Sequence, residues 1–148
     1  MKIIATNREL NFKYEVIDTY ICGIELKGTE VKSIREAKVN LKDGFAHIKD
    51  GEVILKNVYI APYDKGNINN VGELRDRKLL LHKEEIVKIL GKVSQGGYTL
   101  IPYKIGFEKQ YVKVELALCK GKKLYDKRES IKEREAKRRV EQAMKNEI

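Results

Sequence analysis

The chain is 148 residues long, 42% hydrophobic and 36% charged, with a formal net charge of +9. These values bound one core-forming domain and argue against global disorder, and no apolar run approaches the ~20 residues of a bilayer span. A pI near 9.4 points to a polyanionic partner, while two isolated cysteines, Cys22 and Cys119, and no legible export signal point to a reducing cytoplasm.

In chain order, Met1 to Asn11 reads as an irregular lead-in. Lys13–Asp18 and Tyr20–Leu26 read as two strands, with Gly23 marking a bulge or a close approach. Gly28 and Thr29 open a short helix to about Ala37, with Thr29 as N-cap and Glu30 in its first turn. Val31 and Ile34 face the core from it; Lys32, Arg35 and Lys38 point outward. Asp50-Gly51 between the runs Phe45–Lys49 and Glu52–Leu55 is a strong hairpin signal. Extended chain continues from Lys56 to Ala61, Pro62 stops it, and Tyr63 to Glu73 reads as a mobile loop. Arg75, Arg77 and Lys78 then precede Leu79, Leu80 and Leu81. His82 to about Gln95 is the clearest helix, with Ile86, Ile89, Leu90 and Val93 as its apolar face and Gly96-Gly97 as its stop. Tyr98–Ile105 reads as a strand that Pro102 places at an edge, and Gly106–Gln110 as a turn. Tyr111–Cys119 alternates, with Val112, Val114, Leu116 and Leu118 on one side.

The last stretch, Lys120 to Ile148, carries 11 Lys and Arg against 6 Asp and Glu. Ala136, Val140, Ala143 and Met144 share one helical face, too thin to anchor a core. Glu133 stands four before Lys137, Glu135 four before Arg139 and Glu141 four before Lys145, each pair supporting a helix by about 0.2–0.5 kcal/mol. The tail is therefore conditionally helical: it folds when an anionic surface holds it.

About six short strands with two to three helices suit a mainly β fold. Closure removes exposed sheet edges, so the expected architecture is a small antiparallel β-barrel of the oligonucleotide-binding type. Residues 1–123 form the barrel domain and 124–148 the tail. Catalysis finds little support. His47 and His82 lie in different elements, and no nucleophile elbow, P-loop or metal-binding histidine motif occurs. No enzyme activity, cofactor or metal is expected. Basic residues recur at Lys32 and Arg35, at Arg75, Arg77 and Lys78, and at Lys120, Lys122 and Lys123. Tyr14, Tyr20, Tyr63, Tyr103, Phe107, Tyr111 and Tyr125 lie among them. Such a pattern fits RNA binding, where each stacked base contributes about 1–3 kcal/mol. A general single-stranded-RNA chaperone and a metal-dependent RNA-processing enzyme are the other readings of these residues.

Several blocks are more specific. Asn7, Gly28-Thr29-Glu30-Val31-Lys32-Ser33-Ile34-Arg35, Asn40, Lys78-Leu79-Leu80-Leu81 and Gly97-Tyr98-Thr99 are followed by Gly121-Lys122-Lys123-Leu124-Tyr125-Asp126-Lys127-Arg128 and Ile131-Lys132-Glu133-Arg134-Glu135. In order and spacing they resemble the bacterial tmRNA-binding protein family, also called small protein B or SsrA-binding protein, from about Asn7 to Asn146. The resemblance implies a barrel that clasps the tRNA-like domain of transfer-messenger RNA. It implies delivery to ribosomes stalled on messages without a stop codon, tagging of the stalled chain for proteolysis, and ribosome release. On this resemblance Asn7, Glu30, Lys32, Arg35, Lys78, Leu80 and Lys113 form or support the tmRNA surface. Gly121, Lys122, Lys123, Tyr125, Asp126, Lys127, Arg128, Ile131, Lys132, Arg134, Lys137, Arg138 and Arg139 meet the small-subunit decoding centre and the mRNA channel. The implied partners are tmRNA and the ribosome, with the protein a monomer on tmRNA and no membrane involved. The chain departs from the family at Ile21, where many members have Glu, and at Tyr125, where some have His. The turn Gly106–Gln110 lacks the family's Trp-Lys-Asn pattern.

Overall fold

Three long strands of 11 residues each, rich in inward-facing apolar residues, build the molecule. The computed structural model describes residues 1–63 and 72–121. Among them the order is β1 (Lys2–Thr6), α1 (Leu10–Lys13), β2 (Tyr14–Ile24), α2 (Gly28–Arg35), β3 (Val39–Asn40), β4 (Phe45–Lys49) and β5 (Glu52–Lys56). Then come β6 (Tyr59–Ile60), β7 (Arg77–Leu80), α3 (Lys83–Val93), β8 (Tyr98–Glu108) and β9 (Tyr111–Gly121). β8 pairs with β9, β9 with β2, β2 with β7, β7 with β5, β5 with β4, and β4 again with β8. Six antiparallel strands thus close into a ring, the small barrel expected from the sequence. β1 adds to the second half of β8, and β3 pairs with β6 in a separate ladder.

Val114, Leu116 and Leu118 of β9 point inward and are fully buried with Cys22, Val53, Leu55 and Ile105. α2 adds Ile34 and α3 adds Ile89, each at 0% exposure. Burying a side chain of this size is worth about 1.5–3 kcal/mol, so these two residues anchor their helices to the barrel. Ala117 and Cys119 face the other way on β9, yet they too are buried, in a second cluster with Ile101 and with Leu10 of α1. α1 is therefore a cover for the outside of the β8–β9–β2 corner. Burial pushes both thiols, Cys22 and Cys119, up to about 12.

Several expectations need correction. The lead-in is ordered: it forms β1 and α1. The two strands expected around Asp18 are one, β2, with a register shift between Val16 and Asp18 that lets it bend along the barrel. The N-cap of α2 is Lys27, not Thr29, because the Glu30 carboxylate accepts the Lys27 backbone N–H at 2.9 Å. The extended run after Lys56 breaks at Asn57, whose φ is 59. Leu90 of α3 is 46% exposed, so the buried face is narrower than its periodicity suggested. Pro102 is not at an edge. It sits at a shift in the β8–β9 register, between Leu100, which pairs with β4, and Lys104, which pairs with β1, where its missing N–H is tolerated. β8 runs through Gly106 to Glu108, and the turn is confined to Lys109-Gln110, with Lys109 at φ 57. The Asp50-Gly51 hairpin is as expected, with both residues at positive φ, 52 and 76. Most of the Tyr63–Glu73 loop and the whole tail from residue 122, with its boundary at 123, lie outside the described residues.

Candidate nucleic-acid interface

Strand register assembles the outer face. Gly23 of β2 stands opposite Leu80 of β7 on one side and Lys113 of β9 on the other, and Lys113 stands opposite Gly106 of β8. Directly opposed residues project to the same face of a sheet. Ile21 and Tyr111, each two residues along its strand, share that face. Ile21 is 50%, Leu80 46% and Tyr111 62% exposed. Gly23 contributes no side chain, so a shallow concavity of about 220 Å³ opens among Gly23, Leu80, Tyr111 and Lys113. A cation, a ring and an aliphatic wall around a bare backbone floor can hold a base or ribose and neutralise the attached phosphate. Lys78, two before Leu80, extends the face and is held by Glu52 Oε1 at 3.2 Å.

α2 borders the concavity through Val31, which lines it. Lys32 and Arg35 are exposed on its outer side. The Lys32 ammonium lies 5.3 Å from the centre of the Tyr63 ring.

Three expected site residues are placed differently from a simple basic patch. Glu30 is 3% exposed. Its carboxylate accepts from the Lys27 backbone N–H and from the guanidinium groups of Arg75 and Arg77. Burial alone would raise that carboxyl, but these donors outweigh it and hold Glu30 below the usual carboxylate value. Arg77, expected in the patch before the second long helix, is buried at 1% exposure. Asn7 is buried too. Its backbone N–H donates to the Tyr103 carbonyl at 2.7 Å, and it lines a separate cavity of about 330 Å³ with Lys13, Lys42 and Phe45. The register therefore unites Lys78, Leu80 and Lys113, α2 supplies Lys32 and Arg35 beside them, Glu30 lies beneath, and Asn7 is elsewhere. Gly121 ends β9 opposite Tyr14, and the other tail positions lie outside the described residues.

Of the aromatic residues, Tyr20 is core, Phe107 carries Arg35, and Tyr103 accepts a hydrogen bond from Asn11 Nδ2 at 2.9 Å. Tyr111 is the ring open to solvent on this face. The concavity itself escaped the sequence reading, although Gly23 was its signal as a close-approach glycine. An added Cβ there would come within 3.2 Å of Leu80 Cβ.

Among the described residues no cluster of His, Cys, Asp and Glu could hold a metal ion, and no helix is long and apolar enough to cross a membrane. A closed β-barrel with cations and an open ring around a glycine floor belongs to the class of polyanion-binding barrels. A family model described as SmpB protein matches residues 4–146. The chain belongs to that family. It is 57% identical over 145 residues to an SsrA-binding protein of Caldicellulosiruptor bescii, covering 98% of this chain and 92% of the relative. It is 54% identical over 146 residues to the SsrA-binding protein of Thermosynechococcus vestitus, covering 98% and 96%. A solved structure described as "tmRNA-SmpB: a journey to the center of the bacterial ribosome" is similar with a TM-score of 0.69 and 53% identity, over 83% of this chain and 87% of the other.

Proposed function

We propose that this chain is a non-enzymatic RNA-binding protein of the cytoplasm that binds the tRNA-like domain of tmRNA and brings it to stalled ribosomes. The observation that carries the reading is the family match. It spans residues 4–146 and so takes in both the barrel and the basic tail. The relatives' name, SsrA-binding protein, and the tmRNA–SmpB structure on a ribosome support the same partners. The outer face supports the role in physical terms. Lys32, Arg35, Lys78 and Lys113 neutralise phosphates, Leu80 packs, and Asn7 supports the neighbouring corner. The tail is the second module: Gly121, Lys122, Lys123, Tyr125, Asp126, Lys127 and Arg128 meet decoding-centre RNA. Ile131, Lys132, Arg134, Lys137, Arg138 and Arg139 meet the mRNA channel. No cofactor enters this role, and one monomer binds one tmRNA.

The test separates the modules. Cutting the chain after Lys123 leaves a folded protein that binds the tRNA-like domain with modest loss but fails to support tagging in a reconstituted translation reaction with a stop-less message. Normal tagging by the truncated protein refutes the tail's role. Equal affinity for unrelated single-stranded RNA returns the protein to the class of general RNA chaperones.

A further inference from the structure

α2 has a polar inner face. Its buried residues are Glu30, Ser33 and Ile34, of which Ile34 alone is apolar. At about 100° per residue these three share one side of the helix and Lys32 and Arg35 take the other. Ile34, with Val31 packed half-buried beside it, fixes where the helix sits, but on the other flank of the inner face, at Glu30 and Ser33, no apolar contact limits its rotation. Polar bonds supply the remaining constraints. Ser33 Oγ donates to the Ala61 carbonyl at 2.7 Å. The Glu30 carboxylate accepts from Arg75 and Arg77, the latter 47 residues away in sequence.

Arg77 is committed inward along its whole fork. Nε donates to Glu30, NH1 to the Val58 carbonyl at 2.7 Å, and NH2 to the Glu73 carbonyl at 3.1 Å. It is the first residue of β7, the strand that carries Lys78 and Leu80. One buried ion pair therefore joins two of the elements that present cations, α2 with Lys32 and Arg35 and β7 with Lys78. Neither partner can reach RNA, since Glu30 is 3% and Arg77 1% exposed.

We propose that Glu30 and Arg77 are positioning residues for RNA binding: their buried pair sets the rotation of α2 and so aligns Lys32 and Arg35 with Lys78 and Leu80. This rests on the tmRNA-binding reading. The alternative role for Glu30, a residue touching RNA, is incompatible with a carboxylate held on three sides by the protein's own donors. A purely structural role would lower stability and leave the bound geometry of folded molecules intact.

The test is a mutant cycle on folded protein, with the tRNA-like domain of tmRNA as probe at one salt concentration. Glu30→Gln keeps the shape and removes the charge. Arg77→Lys keeps the charge and loses the fork. Each is expected to weaken binding by about three- to a hundredfold, the range of coupled neighbours. In either background the loss caused by Arg35→Ala should shrink, because α2 no longer presents that side chain in register. The loss caused by Lys113→Ala, on the untied strand β9, should stay as in the parent. An Arg35→Ala loss of equal size in parent and Glu30→Gln backgrounds overturns the proposal, as does parental affinity in folded Glu30→Gln. If Glu30→Gln does not fold, Glu30→Asp carries the same cycle and the same two outcomes decide. A parent protein that prefers unrelated RNA over the tRNA-like domain removes the functional reading instead, while an altered α2 in the amide spectrum of Glu30→Gln still reports the tie.

Discussion

The Arg35 guanidinium lies over the Phe107 ring, its central carbon 5.6 Å from the ring centre, and so joins the last turn of α2 to the β8–β9 hairpin. A contact of this kind at an exposed site is worth about 0.5–1 kcal/mol. It also restrains a flexible side chain at the edge of the barrel, where α2 meets the strand ends, before RNA arrives. Arg35→Ala should weaken tmRNA binding by about 1–3 kcal/mol, the cost of a lost charge-assisted contact. Phe107→Leu also trims packing against the core, so its effect is read on folded protein, where it should cost less than Arg35→Ala and vanish in the Arg35→Ala background. Titration of the tRNA-like domain checks both; unchanged affinity for Arg35→Ala at moderate salt takes Arg35 off the face.

Phosphate contacts release counterions, so log affinity should fall linearly with log salt, by roughly 0.9 for each phosphate neutralised. Lys113→Ala and Arg35→Ala should each flatten the slope by about one contact. A salt-independent parent would mean that the basic outer face is not where RNA binds.

Gly44 is buried where β4 begins, and a Cβ there would stand 2.7 Å from Val58 Cγ2 and 2.8 Å from Pro102 Cγ. Both neighbours belong to well-packed chain and cannot step aside freely. Gly44→Ala should therefore destabilise the barrel by about 1–3 kcal/mol through overpacking. A urea midpoint equal to the parent's would show that the gap closes at no cost.

Where pattern and burial agree, the sequence was legible. Val112 to Leu118 alternate because one side of β9 faces the core, and Asp50-Gly51 turns because its backbone can adopt positive φ. The site face was legible as residue types and only partly as places. Lys32, Arg35, Lys78, Leu80 and Lys113 fall on or beside one face because register puts β7, β2 and β9 side by side. Arg77 reads as surface in any local window; nothing within a few residues announces an acidic partner 47 positions away. Leu10 likewise covers Ala117 and Cys119 only once the barrel has closed. Long-range pairing decides such positions, and local periodicity does not carry it.

Glu30 gives stability a pH signature. Its donors place the folded value below the ordinary 4.5. A carboxyl lowered on folding contributes stability that is complete above its unfolded value and is lost as pH falls through the folded one. Near neutrality the Glu30 contribution is complete, so Glu30 should give the parent's urea midpoint no pH dependence there, and the midpoint should drop as pH falls below 4.5. Glu30→Gln should lower the midpoint near neutrality and flatten the acid-side decline. Parallel acid profiles for parent and variant would contradict the assignment of that decline to Glu30.

The closing seam of the ring is uneven. β4 meets β8 through one registered pair, Ala46 with Leu100, whereas β9 is paired with β8 and β2 along almost its whole length. Native-state hydrogen exchange should find the lowest opening free energy along the β4–β8 seam and the highest around Cys22 and Val114. β2 and β9, which carry Gly23 and Lys113, are locked to each other by nine registered pairs, so the barrel can breathe at the β4–β8 seam while this part of the grip stays shut.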